Sequence, residues 1–197
     1  EDDNYGELSF ESVRPTVAKA FDTNGSVLLC ASFSKTLAPG YRIGWVAPGR
    51  YQEKVERLKV ACNLATSMPA QLALAEYLEG GGYDHHLRRV RRIYAENTAR
   101  VAQAIGEYFP PGTRLTRPGG GFILWVELPT NIDTVALYEQ ALRSGITLAP
   151  GPLFSATQKY RNFMRLNASY WSHETERGLE TLGRLAIGMG NGVAGRA

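Results

Sequence analysis

Ser32-Phe33-Ser34-Lys35-Thr36-Leu37-Ala38-Pro39-Gly40-Tyr41-Arg42-Ile43-Gly44-Trp45 is the stretch whose reading decides the fold. It grows out of Val27–Phe33 (VLLCASF), a short apolar run of the kind expected of a fully buried strand. Pro39-Gly40 signals a turn, and Arg42–Ala47 (RIGWVA) is a second short strand closed by Pro48-Gly49. A lysine at the end of a buried strand is expensive unless its charge is neutralised or used. Burial favours a neutral amine, the form that attacks an aldehyde. Ser32 and Ser34 precede Lys35, and Arg42 follows it, so two hydroxyls and a planar fork of donors stand where they can surround a phosphate. On spacing alone, a solvent-exposed loop lysine after a core strand is an equally open reading.

Outward from this stretch the pattern is α/β. Tyr51–Cys62 reads as a helix with Val55, Leu58 and Cys62 on one side, and Ala70–Leu78 as another, started by Pro69 and stopped by Gly80-Gly81-Gly82. From Tyr83 to Phe109 one long helix carries an apolar stripe through Leu87, Val90, Tyr94, Val101, Ile105 and Tyr108, and Pro110-Pro111-Gly112 ends it. The texture then changes to a small α+β unit. Its expected elements are a strand at Gly121–Leu128, a helix at Asp133–Ser144 with an Asp cap and Gly145 past its end, and strands at Ile146–Ala149 and Asn162–Ala168. Ser172 caps a last helix expected to end near Ile187, leaving Gly188–Ala197 as a flexible tail.

Composition sets outer limits. The net charge of +3 over 197 residues is small for a non-specific nucleic-acid binder. Cys30 and Cys62 are too few for a disulfide framework and, lying in apolar stretches, are expected to be buried thiols of a reducing compartment. No apolar run approaches the ~18 residues of a membrane span, so a cytoplasmic location is the expectation. The chain opens on Glu1-Asp2-Asp3-Asn4-Tyr5 without Met, which suggests a carboxy-terminal piece of a longer protein. His85, His86, Arg88, Arg89, Arg91 and Arg92 wrap the polar side of the long helix and read as a solvated or inter-subunit face. Three scattered His residues indicate no metal site.

The run from Ser32 to Trp45 resembles the cofactor-lysine motif of class I/II aminotransferases, which belong to fold type I of the pyridoxal-phosphate enzymes. The likeness extends from residue 1 to about 187. It implies the C-terminal part of the PLP-dependent transferase fold: residues 1–95 as part of the cofactor-binding large domain, 96–187 as the small C-terminal domain, and 188–197 as the tail. It also implies pyridoxal 5'-phosphate as cofactor, with Lys35 as the residue that forms the imine. Ser32 and Arg42, with Ser34 as an added candidate, would bind the cofactor phosphate.

Similar proteins carry Asp-x-x-Tyr on the preceding strand, and Asp2 and Tyr5 match that spacing. The Asp pairs with the pyridine nitrogen and keeps it protonated, so the ring can accept electrons. The Tyr donates to the cofactor's phenolic oxygen. Asp3 could take the pyridine role under a shorter spacing, and an acidic amino-terminal cluster can also be a solvated end. In Asn162-Phe163-Met164-Arg165-Leu166-Asn167, Arg165 stands where relatives hold the substrate α-carboxylate; a structural salt bridge is the alternative. Gly151-Pro152-Leu153-Phe154 resembles the loop leading toward that Arg, so Phe154 is expected near the pocket. Thr66-Ser67-Met68-Pro69 falls where relatives have dimer-interface residues.

Two functions share such a scaffold. One is a free-standing aminotransferase moving an amino group between an amino acid and a 2-oxo acid. The other is a MocR-type regulator of the GntR family, in which an amino-terminal winged helix contacts DNA and the cofactor site senses a small molecule. Tyr83–Arg89, Pro111-Gly112-Thr113, Trp125–Pro129 and Ala149-Pro150-Gly151 look more like the regulators. In either case the parent protein is expected to be a homodimer.

Overall fold

A computed structural model describes residues 1–194, which form one unit of Glu1–Arg92 and a second beginning at Ile93. In the first, the apolar run becomes strand β1 (Leu29–Ser32), paired antiparallel with β2 (Gly44–Ala47) from Leu29↔Ala47 to Ser32↔Gly44. The amino-terminal residues lie along the other edge of β1. Asp2 bridges Cys30 in parallel, with Cys30 N donating to Glu1 O at 2.9 Å and Asp3 N to Cys30 O at 2.8 Å.

The expectation of a fully buried strand needs correction. Only Leu29 of β1 is buried, and Cys30 is exposed. Helix α1 (Gln52–Asn63) buries no residue, so Cys62 is exposed as well and Leu58 and Val60 are 62% and 60% accessible. The two thiols are therefore not the buried groups their apolar neighbours suggested. The physical reason is that this ribbon and helix have no layer over them among the described residues, so apolar sequence there is not matched by burial.

Helix α2 (Met68–Glu79) starts two residues before Ala70 and holds Pro69 in its first turn, where its missing N–H costs nothing. Helix α3 (Gly82–Tyr108) is the long helix the periodicity predicts, with Leu87 buried in its first half and Val101 and Ile105 in its second.

The second unit is built on a four-stranded antiparallel sheet in the order β3-β4-β6-β5: β3 (Arg114–Leu115), β4 (Ile123–Glu127), β6 (Phe163–Asn167) and β5 (Ala149–Pro150). The two-residue β3 is too short to leave a periodic signal, and β5 lies at the end of the stretch Ile146–Ala149 where a strand is predicted. Alternation along the central pair sorts the two faces. Leu124 and Val126 of β4 and Met164 and Leu166 of β6 face a core completed by Val101 and Ile105, by Leu137 and Ala141 of α4 (Thr134–Arg143), and by Leu182 and Ala186 of α5 (His173–Ala194). The other face is left to Trp125 and Arg165, which are direct cross-strand partners.

Both predicted caps form. Asp133 Oδ1 accepts from Val135 N at 2.8 Å and Ala136 N at 3.4 Å, and Ser172 Oγ accepts from Thr175 N at 3.2 Å. Helix α5 continues past the expected end at Ile187. Met189 packs against the core and Asn131 Nδ2 donates to Gly190 O at 3.1 Å, so residues 188–194 are helical. The last three residues of the expected tail lie outside the described residues.

Candidate functional site

The chain reverses directly after β1. Leu37 N and Ala38 N both donate to Phe33 O, at 2.9 and 3.0 Å, closing a tight turn that carries Ser34, Lys35 and Thr36. Lys35 is exposed on this turn, where burial at a strand end was expected. The neighbouring Thr36 is the buried residue, only 3% accessible. Its hydroxyl accepts from Tyr83 Oη at 3.0 Å, its carbonyl lies 2.9 Å from His86 Nε2, and Phe33 meets the Tyr83 ring edge-on at 5.6 Å. Burial raises the pKa of the Tyr83 hydroxyl above its ordinary value, which keeps it a donor. Tyr83 and His86 are one helical turn apart on α3 and clamp the turn from one side. This clamp leaves little trace in the sequence beyond the shared helix face of Tyr83 and His86.

Arg42 adopts a left-handed backbone conformation at φ 55°. Its Nη1 reaches Pro39 O at 3.4 Å and Ser34 Oγ at 3.5 Å, and it has no carboxylate partner among the described residues. Ser32 lies opposite Gly44 in the ribbon. A Cβ at Gly44 would stand 2.8 Å from Ala31 O and 3.2 Å from Ser32 Cβ, so glycine is required for the strands to close here. Two serine hydroxyls and a guanidinium with no carboxylate partner among the described residues, at the end of the ribbon whose turn also carries Lys35, are a donor set suited to a phosphate monoester next to an aldehyde.

The amino-terminal edge adds a carboxylate. Paired residues of neighbouring strands share a face, so the bridge puts Asp2 on the side of Cys30 and Ser32 and Asp3 on the opposite side. Asp3 is committed elsewhere. Its carboxylate forms an ion pair with Arg14, which also reaches Glu7 at 2.6 Å, and Arg91 Nε donates to Glu7 O at 2.6 Å. Asp2 is exposed and accepts from Asn4 Nδ2 at 2.6 Å. Tyr5, 38% accessible, follows at the start of a short 3-10 turn, Gly6–Leu8.

Arg165, in the second unit, is exposed on β6. Its guanidinium carbon sits 4.7 Å from the centre of the Phe154 ring, and no carboxylate pairs with it among the described residues. The structural salt bridge considered above is therefore not formed. His85, Arg88, Arg89 and Arg92 line a shallow basic depression on α3. Among the described residues no three His, Cys, Asp or Glu side chains gather as a metal site, and no helix is long and apolar enough to cross a membrane.

No family model matches the chain. It is 47% identical over 177 residues to the uncharacterized HTH-type transcriptional regulator YjiR of Escherichia coli, covering 90% of this chain and 38% of YjiR. It is 38% identical over 189 residues to aromatic-amino-acid aminotransferase 1 of Thermococcus litoralis, covering 94% of this chain and 44% of that enzyme. The structure superposes on LysN, the alpha-aminoadipate aminotransferase of Thermus thermophilus complexed with N-(5'-phosphopyridoxyl)-L-leucine, with TM-score 0.89 and 31% identity over 96% of this chain and 50% of that one. The chain is a fold-type-I aminotransferase-like domain. It corresponds to the C-terminal part of that α/β fold, and spans half or less of the length of these relatives.

Proposed function

We propose that this aminotransferase-like domain binds pyridoxal 5'-phosphate at the end of the β1–β2 ribbon and uses it to sense an amino acid or 2-oxo acid within a MocR-type regulator of the GntR family. The observation that carries the reading is that each unit has a guanidinium group, Arg42 beside Ser34 in the first and Arg165 beside Phe154 in the second, with no carboxylate partner among the described residues. A cation left unpaired beside further donors suits an incoming anion.

When bound, pyridoxal phosphate supplies an aldehyde for an amine and a ring that accepts electrons. The chain's own residues then divide the remaining work. Ser32, Ser34 and Arg42 would hold the phosphate, and Lys35, exposed on the turn whose Thr36 is held by Tyr83 and His86, would offer its amine to the aldehyde. Asp2 would keep the pyridine nitrogen protonated and Tyr5 would donate to the phenolic oxygen. Arg165 orients the ligand by its α-carboxylate. Residues 1–95 would belong to the large cofactor-binding domain and 96–187 to the small one. The parent protein would be a cytoplasmic homodimer that meets DNA through an amino-terminal winged helix.

The 47% identity to an HTH-type transcriptional regulator favours the regulator over the enzyme. A second reading, a free-standing aminotransferase, is favoured by the 38% identity to the Thermococcus litoralis enzyme; in it Lys35 would also take and return the substrate α-proton. The test is the visible absorbance of the full-length protein with cofactor. Lys35→Ala is expected to abolish the band of lysine-bound cofactor, and an unchanged band would move that role to another residue. Turnover across a panel of amino acids and 2-oxo acids, with the length of any segment preceding Glu1, separates the regulator from the enzyme.

A further inference from the structure

Arg165 does not stand alone on its face of the sheet. Its cross-strand partner Trp125 meets the Phe154 ring edge-on at 5.4 Å and the Tyr160 ring at 5.9 Å, and lies over Phe163 at 5.7 Å. Tyr160 and Phe163 are themselves in contact at 5.4 Å. Phe154 is thus one wall of a four-ring cluster, and it is the ring over which the guanidinium lies, 4.7 Å from its centre. The loop that delivers Phe154 is fixed independently of Arg165. A Cβ on Gly151 would collide with Tyr160 O, so glycine lets the loop lie directly on the following segment. Ser155 N donates to Pro152 O at 3.2 Å, Ser155 Oγ accepts from Lys159 N at 3.2 Å, and Phe163 N donates to Tyr160 O at 2.9 Å.

A long, exposed arginine would otherwise sample many rotamers, and ordering it on ligand binding costs affinity. An aromatic face beneath the guanidinium attracts it without using its N–H donors, which stay free for a carboxylate in the plane of the fork. We propose that Phe154 is a positioning residue: stacked on the aromatic cluster, it holds the Arg165 guanidinium ready for the α-carboxylate of an amino-acid ligand. The proposal rests on the reading of Arg165 as the carboxylate clamp.

The experiment compares full-length protein, loaded with cofactor, as wild type, Phe154→Leu, Phe154→Tyr and Arg165→Ala. Two probes are titrated: L-leucine, and 3-methylbutylamine, which has the same side chain and amine without the carboxylate. Affinity is read from cofactor absorbance, and the Arg165 Nε–H resonance is followed by NMR with L-leucine and with 4-methyl-2-oxopentanoate. Phe154→Leu is expected to weaken L-leucine about three- to tenfold. It should leave 3-methylbutylamine unchanged and move the Arg165 Nε–H resonance out of the ring-current field even without ligand. Phe154→Tyr should restore wild-type behaviour.

The possible failures are distinguishable. If Arg165→Ala weakens L-leucine and Phe154→Leu does not, the clamp stands and the positioning role is overturned. Equal losses for both probes in Phe154→Leu also overturn it, since that is general damage to the pocket. An Arg165 resonance that responds to neither L-leucine nor 4-methyl-2-oxopentanoate removes the clamp, and the positioning role with it.

Discussion

Replacing Asp133 with alanine removes two supports from the start of α4 at once. The carboxylate accepts from Val135 N and Ala136 N, and it pairs with Arg161. An N-cap of this kind contributes about 0.5–2 kcal/mol. The side chains of the pair are 60% and 33% accessible, so water screens it and it adds about 0.2–1 kcal/mol. The expected loss is therefore about 2 kcal/mol, or about 4–8 °C in Tm for a chain of this length. Asp133→Asn keeps the cap and loses only the ion pair, so its cost should stay below about 1 kcal/mol.

The same site has a definite pH dependence. Burial raises the Asp133 pKa, but the Arg161 hydrogen bond and the two helix N–H groups outweigh it and hold the carboxyl below its ordinary value. A folded pKa below the unfolded one means that the stabilisation is complete above about pH 4 and is lost as pH falls through the folded value. Circular-dichroism melts of the three proteins at pH 7 and at pH 3 check both parts. The wild-type advantage over Asp133→Ala should narrow at the lower pH. An Asn variant as damaged as the Ala variant, or a gap that does not change with pH, would refute the capping argument.

Met164→Ala empties a fully buried site between the sheet and its helices and should cost about 2–5 kcal/mol in chemical denaturation. A loss below about 1 kcal/mol would mean that the core collapses around the gap. Tyr83→Phe removes the hydroxyl that holds Thr36 and should cost about 1 kcal/mol. In full-length protein it should also loosen cofactor binding through a freer Lys35 turn; unchanged cofactor affinity would show that His86 and Phe33 suffice to hold the turn.

Much of the molecule could be read from local pattern. The stripe through Leu87, Val101 and Ile105 identified α3, and Asp133 and Ser172 identified the starts of α4 and α5, because periodicity and capping involve residues within one or two turns of each other. Ser32, Ser34, Lys35 and Arg42 are likewise neighbours in the chain, so the turn that carries Lys35 could be read locally, but its exposure could not. Burial could not be read in this way. VLLCASF and the apolar side of α1 have the composition of core, yet Cys30, Cys62 and Leu58 are exposed, since burial depends on which distant segment lies on top.

The sequence by itself determined the class of fold, the residues offering donors and an amine near β1, and the helix boundaries set by capping. Only the tertiary structure decided which acidic residue shares a face with Ser32, because the Asp2–Cys30 bridge joins segments far apart in the chain. It alone put Trp125 opposite Arg165 and Phe154 beneath it. Strand register and ring stacking arise between remote segments, and a one-residue slip would send each of these side chains to the other face.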